Sequence, residues 1–181
     1  MQEAGIEMVR YADDFVLLCR TEEAAWSALE RVKEWTVQAG LTLHPEKTRI
    51  VNAAEGEFVF LGYRFKRGKK YPGPKPLKKL KDTIRQRTKR TNGNSMACII
   101  GRLNPVLAGW MEYFKHAYKT SFPDLDGWIR MRLRSILRKR SKRRGRGRGM
   151  DHHRWPNAYF AGLGLYSLAA AHASACQSSR R

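Results

Sequence analysis

Cysteine is scarce here and badly spaced for pairing: Cys19, Cys98 and Cys176 lie far apart and are odd in number. With no CxxC pair, neither a zinc site nor a disulfide framework is supported, and a reduced intracellular setting is the simple reading. Long apolar runs are missing too, since no segment reaches the ~18–20 apolar residues needed to span a membrane. The start, MQEAGIEMVR, has neither the basic opening nor the apolar stretch of a secretory signal. A cytoplasmic protein without a membrane partner is expected. The scarcity that matters most is of acid, with 16 Asp plus Glu against 36 Lys plus Arg and a net charge of +20. Residues 1–60 carry 11 acidic and 6 basic residues, whereas residues 61–181 carry 5 and 30. A mildly acidic module followed by a strongly basic one is the charge pattern of a nucleic-acid binder. The excess runs through many segments, which argues against a short solubilising tail.

What is present is enough to fold. The chain is 42% hydrophobic and has 181 residues, room for one ordinary domain or two small ones. The first module reads strand, turn, strand, helix, strand, strand. Glu7–Tyr11 and Phe15–Cys19 flank Ala12-Asp13-Asp14, a hairpin with the aspartates at its tip. Thr21 is placed to cap the next helix, with Glu22 and Glu23 in its first turn and Ala25, Leu29, Val32 and Ala39 on its inner face. Gly40 supplies the stop. Extended segments are then expected at Leu41–Leu43 and Lys47–Val51 about the turn His44-Pro45-Glu46, followed by "FVFLGYRF", Phe58–Phe65.

The prolines and glycines of "KRGKKYPGPKP", residues 66–76, argue against regular structure and mark a boundary between residues 1–65 and 77–181. Beyond it the pattern is helical: a basic helix over 77–90, then an apolar face through Ile99, Leu103, Val106, Leu107, Trp110, Phe114 and Tyr118 despite Pro105. Asp124 or Asp126 is placed to cap another helix, with Leu125, Trp128, Ile129, Leu133, Ile136 and Leu137 inward. The low-complexity run "RKRSKRRGRGRG", 138–149, is expected to be mobile unless an anion orders it. The class is α+β.

Adjacent carboxylates on a tight hairpin suit a hard cation such as Mg2+, which takes oxygen ligands and keeps several waters. The bland alternative is plain turn chemistry, for which Asp-Asp is common. Neighbouring segments decide the matter. "YADD" between apolar strands resembles the catalytic hairpin of reverse transcriptases. "GLTLHPEKTRIV" and "FVFLGYRF" resemble the next two segments of the same polymerase palm. In the basic half, "LNPVLAGWMEYFKHAY", "DGWIRMRLRSILRKR" and "RWPNAYFAGLGLYSL" look like the maturase-specific thumb of group II intron reverse transcriptases. The resemblance covers nearly the whole chain.

The resemblance implies a partial palm followed by a helical thumb, with a two-metal Mg2+ site to which Asp13 and Asp14 contribute. It implies that Tyr11 and Ala12 lie beneath a primer end, and that Lys47 sits near the incoming nucleotide's phosphates. Leu61, Gly62 and Tyr63 would form the primer-grip turn, with Gly62 useful where backbone must approach backbone. A palm site also needs an aspartate from well before the YADD hairpin, and ten residues precede Tyr11. The polymerase site is therefore expected to be incomplete in this chain: either the chain is truncated, or Met1 is an internal start, or the missing N-terminal half is supplied by a separate polypeptide or a second copy. No paired cysteines or HNH-like cluster follow residue 150, so an endonuclease module is not expected.

The basic half is expected to bind group II intron RNA through phosphates and shape. One patch is Lys78, Lys79, Lys81, Arg85, Arg87, Lys89 and Arg90. The denser patch is Arg130, Arg132, Arg134, Arg138, Lys139, Arg140, Lys142, Arg143 and Arg144. Arginine's planar fork pairs with phosphate bidentately, and so one-sided a charge would repel itself without a polyanion. Trp110, Phe114, Trp128 and Trp155 are assigned to the core. The competing reading is a non-catalytic splicing factor that binds intron RNA and carries Asp13 and Asp14 without using them.

Overall fold

The computed structural model describes residues 6–147 and 149–178. Met1–Gly5, Arg148 of the basic run and the last three residues lie outside them. The chain divides into two compact units, Met1–Leu61 with Phe65–Gly68, and Gly62–Arg64 with Lys69–Arg181.

In the first unit, β1 (Glu7–Tyr11) and β2 (Asp14–Leu18) pair antiparallel in the register Tyr11 opposite Asp14 and Val9 opposite Val16. Helix α1 (Glu22–Gln38) packs against β2. Its start is as expected: the Thr21 hydroxyl accepts from the Ala24 N–H at 3.2 Å, and Glu22 and Glu23 occupy the first turn. It ends at Gly40, φ +66°, where the Leu41 N–H reaches back to Thr36 O at 2.8 Å. The buried stripe is Ala28, Val32 and Thr36, four residues apart, so Ala25 and Leu29 lie at its margin and Ala39 is exposed.

Strands β3 (Glu57–Phe60), β4 (Tyr63–Lys66) and β5 (Lys69–Pro72) lie in that order in a three-stranded sheet. Two expectations are corrected. Leu41–Leu43 and Lys47–Val51 are not strands. Their backbone is organised locally instead, with the Lys47 and Thr48 N–H groups both donating to His44 O. An extended run becomes a strand only where a neighbour takes up its backbone groups. Conversely, residues 66–76 are not irregular: they hold β5 and the start of α2 (Pro74–Arg87). Pro72 closes the strand and Pro74 opens the helix, two positions where a missing N–H costs nothing.

The second unit is helical. Helix α3 (Met96–Phe114) is capped by Ser95, whose hydroxyl accepts from Cys98 N–H at 3.2 Å, and runs on through Pro105. It is followed by α4 (Pro123–Arg140), α5 (Asp151–Arg154), α6 (Asn157–Gly162) and α7 (Leu168–Ser178). The core joins Leu80 and Ile84 of α2, Ile99, Leu103 and Leu107 of α3, and Ile129, Leu133 and Ile136 of α4 with Phe122, Phe160 and Leu168. The predicted apolar faces of α3 and α4 are the ones buried. Phe114 is fully inside, while Trp110, Trp128 and Trp155 pack half-buried against the same core.

Gly62 and Gly73 meet directly. The Gly73 N–H donates to Gly62 O at 2.7 Å, and a Cβ on Gly73 would stand 2.5 Å from that oxygen. Asp126 does not cap its own helix. It is buried at 4% exposure, and its carboxylate accepts from Ser167 Oγ (2.8 Å), Leu168 N–H (3.0 Å) and Ala169 N–H (3.1 Å). It is thus a capping group for α7 supplied from α4, which satisfies N–H groups that a helix start leaves open. Asp126→Ala should lower unfolding stability by about 2–3 kcal/mol, because it strands buried donors as well as deleting the bonds. Asp126→Asn, which keeps one acceptor, should cost less. Urea denaturation measures both, and an unchanged midpoint for the alanine variant would remove Asp126 from this role.

Candidate nucleic-acid interface

The hairpin sets Asp13 in the turn and Asp14 at the head of β2, opposite Tyr11. Ala12 has φ +51°, a left-handed conformation that side chains other than glycine's rarely adopt, and the Arg10 Nε–H donates to Ala12 O at 2.9 Å. Backbone strain of this kind is characteristic of sites where geometry matters more than stability. Tyr11, Asp13 and Asp14 are all exposed, Tyr11 at 66%. Hard oxygen donors at an open hairpin tip have the right chemistry for Mg2+. Among the described residues no group of three or more His, Cys, Asp or Glu side chains gathers there or elsewhere. Lys47 is exposed in the 45–47 turn rather than on a strand, and no ion pair joins it to the aspartates among the described residues.

The second turn also follows the expected outline. Leu61 (φ +48°) and Gly62 (φ +75°) connect β3 to β4, both left-handed, as a two-residue type I′ turn requires. Tyr63, however, is drawn inward. Its hydroxyl donates to Tyr113 O, and its ring lies 5.9 Å from that of Tyr113 and 5.0 Å from that of Phe114. Burial, then Tyr113, pushes the Tyr63 hydroxyl above its usual pKa.

The basic residues separate into exposed and engaged sets. On α2, Lys78, Lys79, Arg85 and Arg87 are exposed, as are Lys89 and Arg90 just beyond it. Asp82 takes ion pairs from Lys78 (3.3 Å) and Arg85 (2.6 Å), and the hydrogen bonds from Arg85 and then Lys78 hold its carboxyl below the usual range. Lys81 is half-buried with its ammonium 5.9 Å from the Trp128 ring. Arg85 (5.6 Å) and Arg132 (5.5 Å) approach the same indole, so three cations surround one aromatic side chain.

On α4 the patch expected from the sequence is thinned. Arg134 is 2% exposed and donates to Trp155 O (2.9 Å) and Asn157 Oδ1 (2.7 Å). Burial, with Arg130 adding to it and Asp151 opposing, draws its pKa down. Arg138 is half-buried, paired with the buried Asp151 carboxylate at 2.6 Å and donating to Arg144 O at 2.7 Å. Both are structural cations rather than open ones. Arg130 is half-buried. Lys139, Arg140, Lys142, Arg143 and Arg144 are exposed, with Arg140 also donating to the Asn92 and Asn94 carbonyls. Arg146 and Thr88 do not stand out in the sequence. Arg146 is hidden in a repetitive run, and Thr88 looks like an ordinary helix-end residue; only packing puts them beside Trp128.

No curated protein matches the sequence. Family comparison finds two domains: residues 1–65 match the reverse transcriptase (RNA-dependent DNA polymerase) family, and residues 77–155 match the group II intron maturase-specific domain. A YADD hairpin leading into a basic helical unit with these two matches in this order is one arrangement, and the chain belongs to the family of group II intron-encoded reverse transcriptase/maturases, which act in intron splicing and mobility.

Proposed function

We propose that the helical unit grips the phosphate backbone of folded group II intron RNA, using the exposed cations of α2 and the C-terminal end of α4. The observation that carries this reading is the three-cation cluster about Trp128, beside a surface with few acids to neutralise it. Reverse transcriptases use Mg2+. In this reading Asp13 and Asp14 would hold the ion at the hairpin tip, with water and carboxylates from outside the hairpin completing its shell. The ion, once bound, neutralises charge on the attacking and leaving oxygens of nucleotide addition. The chain's own contribution is to present two carboxylates on a strained, fixed turn. Ala12 and Tyr11 then lie under a DNA primer end, Leu61 and Gly62 steady it, and Lys47 faces nucleotide phosphate. The setting is cytoplasmic.

Affinity for intron RNA should fall about 10³-fold or more between 50 and 200 mM salt, since several phosphate contacts release counterions. A flat salt response in an equilibrium binding series would end the electrostatic reading. Arg134→Gln should behave differently from surface variants. It should lower stability by about 2–4 kcal/mol through the stranded acceptors and the buried site it leaves, yet leave the slope of affinity against salt unchanged; a reduced slope would return Arg134 to the RNA surface. Primer extension on an RNA template with Mg2+ separates the enzyme from the splicing factor. Extension lost in Asp13→Ala identifies a working metal hairpin. RNA binding and splicing that persist in Asp13→Ala, with no extension by either chain, favour the non-catalytic reading.

A further inference from the structure

Between α2, α4 and the turn near Gly147 lies a cleft of about 340 Å³, lined by Arg85, Thr88, Arg90, Trp128, Arg132 and Arg146 among others. Its size is at the lower end of the range for small-molecule sites. Four of its lining residues are arginines and none is acidic. Arg85 is already ion-paired with Asp82 at 2.6 Å, whereas no ion pair involves Arg90, Arg132 or Arg146 among the described residues. Three unneutralised cations around one concavity work against folding unless something anionic enters.

Arg132 stands at its centre chemically. Its Nε donates to Thr88 Oγ1 at 2.6 Å and its Nη2 to Thr88 O at 3.1 Å, which fixes the plane of the guanidinium. Burial, and then Arg85, lower its pKa. Thr88 is itself fully buried and anchored by its hydroxyl to Ile84 O at 2.6 Å. The indole of Trp128 forms an apolar wall that keeps the local dielectric low and strengthens any ion pairing within.

The fourth arginine is delivered by construction. Gly147 is buried, its N–H donates to Ser135 Oγ at 3.1 Å, and a Cβ there would lie 2.6 Å from Arg134 Cβ. A glycine is therefore required at that point, and the backbone beside Arg146 is seated on α4. This part of the arginine–glycine run is a wall of the cleft, not a loose tail.

We infer that the cleft is a phosphodiester subsite that takes one backbone phosphate of the RNA. The inference rests on the proposal that this unit binds intron RNA and states where a single phosphate is gripped by several guanidinium groups at once. Arginine forks suit that geometry through paired N–H···O bonds.

Such a site has a particular salt signature. The slope of log affinity against log salt counts phosphates neutralised, about 0.7–0.9 for each, whereas affinity also reflects how many groups grip each one. Arg90→Gln/Arg146→Gln in the full chain should therefore weaken intron RNA binding roughly 30-fold or more at fixed salt, because two charge-assisted hydrogen-bonding groups are removed from one phosphate. The slope should fall by about one phosphate's share. Lys139→Gln/Lys142→Gln, an equal charge change outside the cleft at exposed positions, should weaken binding much less for a similar or larger fall in slope. Equal losses in the two double variants would overturn the inference and leave a diffuse basic field, with the general RNA-binding proposal intact. No RNA binding by the unaltered chain would instead sink that proposal. Inorganic phosphate gives an independent arm: it should perturb tryptophan fluorescence beyond chloride at matched ionic strength, and Trp128→Phe should abolish the difference. No phosphate-specific change would overturn the site whatever the RNA result. A phosphate response with RNA affinity untouched in the Arg90/Arg146 variant would overturn the assignment to RNA.

Discussion

A helix of 18 residues that buries Leu125, Ile129, Leu133 and Ile136 cannot also keep Arg130, Arg132, Arg134, Arg138 and Arg140 fully in water. At 100° per residue the cations of α4 spread around the helix, and those that turn inward need acceptors. The fold answers with carbonyls and short polar side chains drawn from distant segments. Arg132 is met by Thr88 at the end of α2, Arg140 by the carbonyls of Asn92 and Asn94, Arg138 by Asp151, and Arg134 by Trp155 and Asn157. Each arginine thus ties α4 to another part of the unit. The core supplies the bulk of the cohesion, but these bonds set which segment lies where.

The shortage of acid takes on a structural sense in that light. Residues 61–181 have five acidic side chains: Asp82, Glu112, Asp124, Asp126 and Asp151. Two of them, Asp126 and Asp151, are buried and committed, one to the start of α7 and one to Arg138. Glu112 is paired with Lys115 at 2.5 Å, and Asp82 with its two α2 neighbours. Almost nothing anionic remains to balance the outer faces of α2 and α4. The same choice that stabilises the interior leaves an unneutralised exterior, and exposed ion pairs such as Lys78–Asp82 are too weak to change that.

How much of this is readable from sequence follows from how local each cause is. The YADD hairpin, the Thr21 cap, the Gly40 stop and the apolar faces of α3 and α4 depend on neighbours within a few residues, and all stand where expected. Gly62 is expected where backbone approaches backbone, and its carbonyl does meet Gly73. The failures are non-local. Residues 41–51 have strand-like composition but no paired strand, and residues 69–72 form a strand although they lie among prolines and glycines. Asp126 looks like a cap for its own helix because sequence shows only the nearest helix start; its partner begins more than 40 residues later. Arg134 and Arg143 look alike in a basic run, yet one is buried and the other exposed, a distinction made by helix phase and by where Trp155 and Asn157 arrive. Trp128 does lie against the core as its spacing predicts, but the cations around its edge come from α2 as well as α4.

The hairpin turns, Arg67 between β4 and β5 at φ +49° among them, show the opposite economy. Ala12 and Leu61 both sit at positive φ, where glycine or asparagine would be easier, each costing about 1–3 kcal/mol of conformational strain. A glycine in either place would adopt the same positive φ without that cost. A side chain retained under strain fixes the turn more narrowly than glycine would, because it has fewer alternative conformations to visit. At the YADD tip that narrowing falls immediately before Asp13 and Asp14, two like charges whose repulsion the fixed turn must bear. Stability is thus surrendered at the hairpin tips and recovered in the helical unit, where buried carboxylates and matched arginines are concentrated.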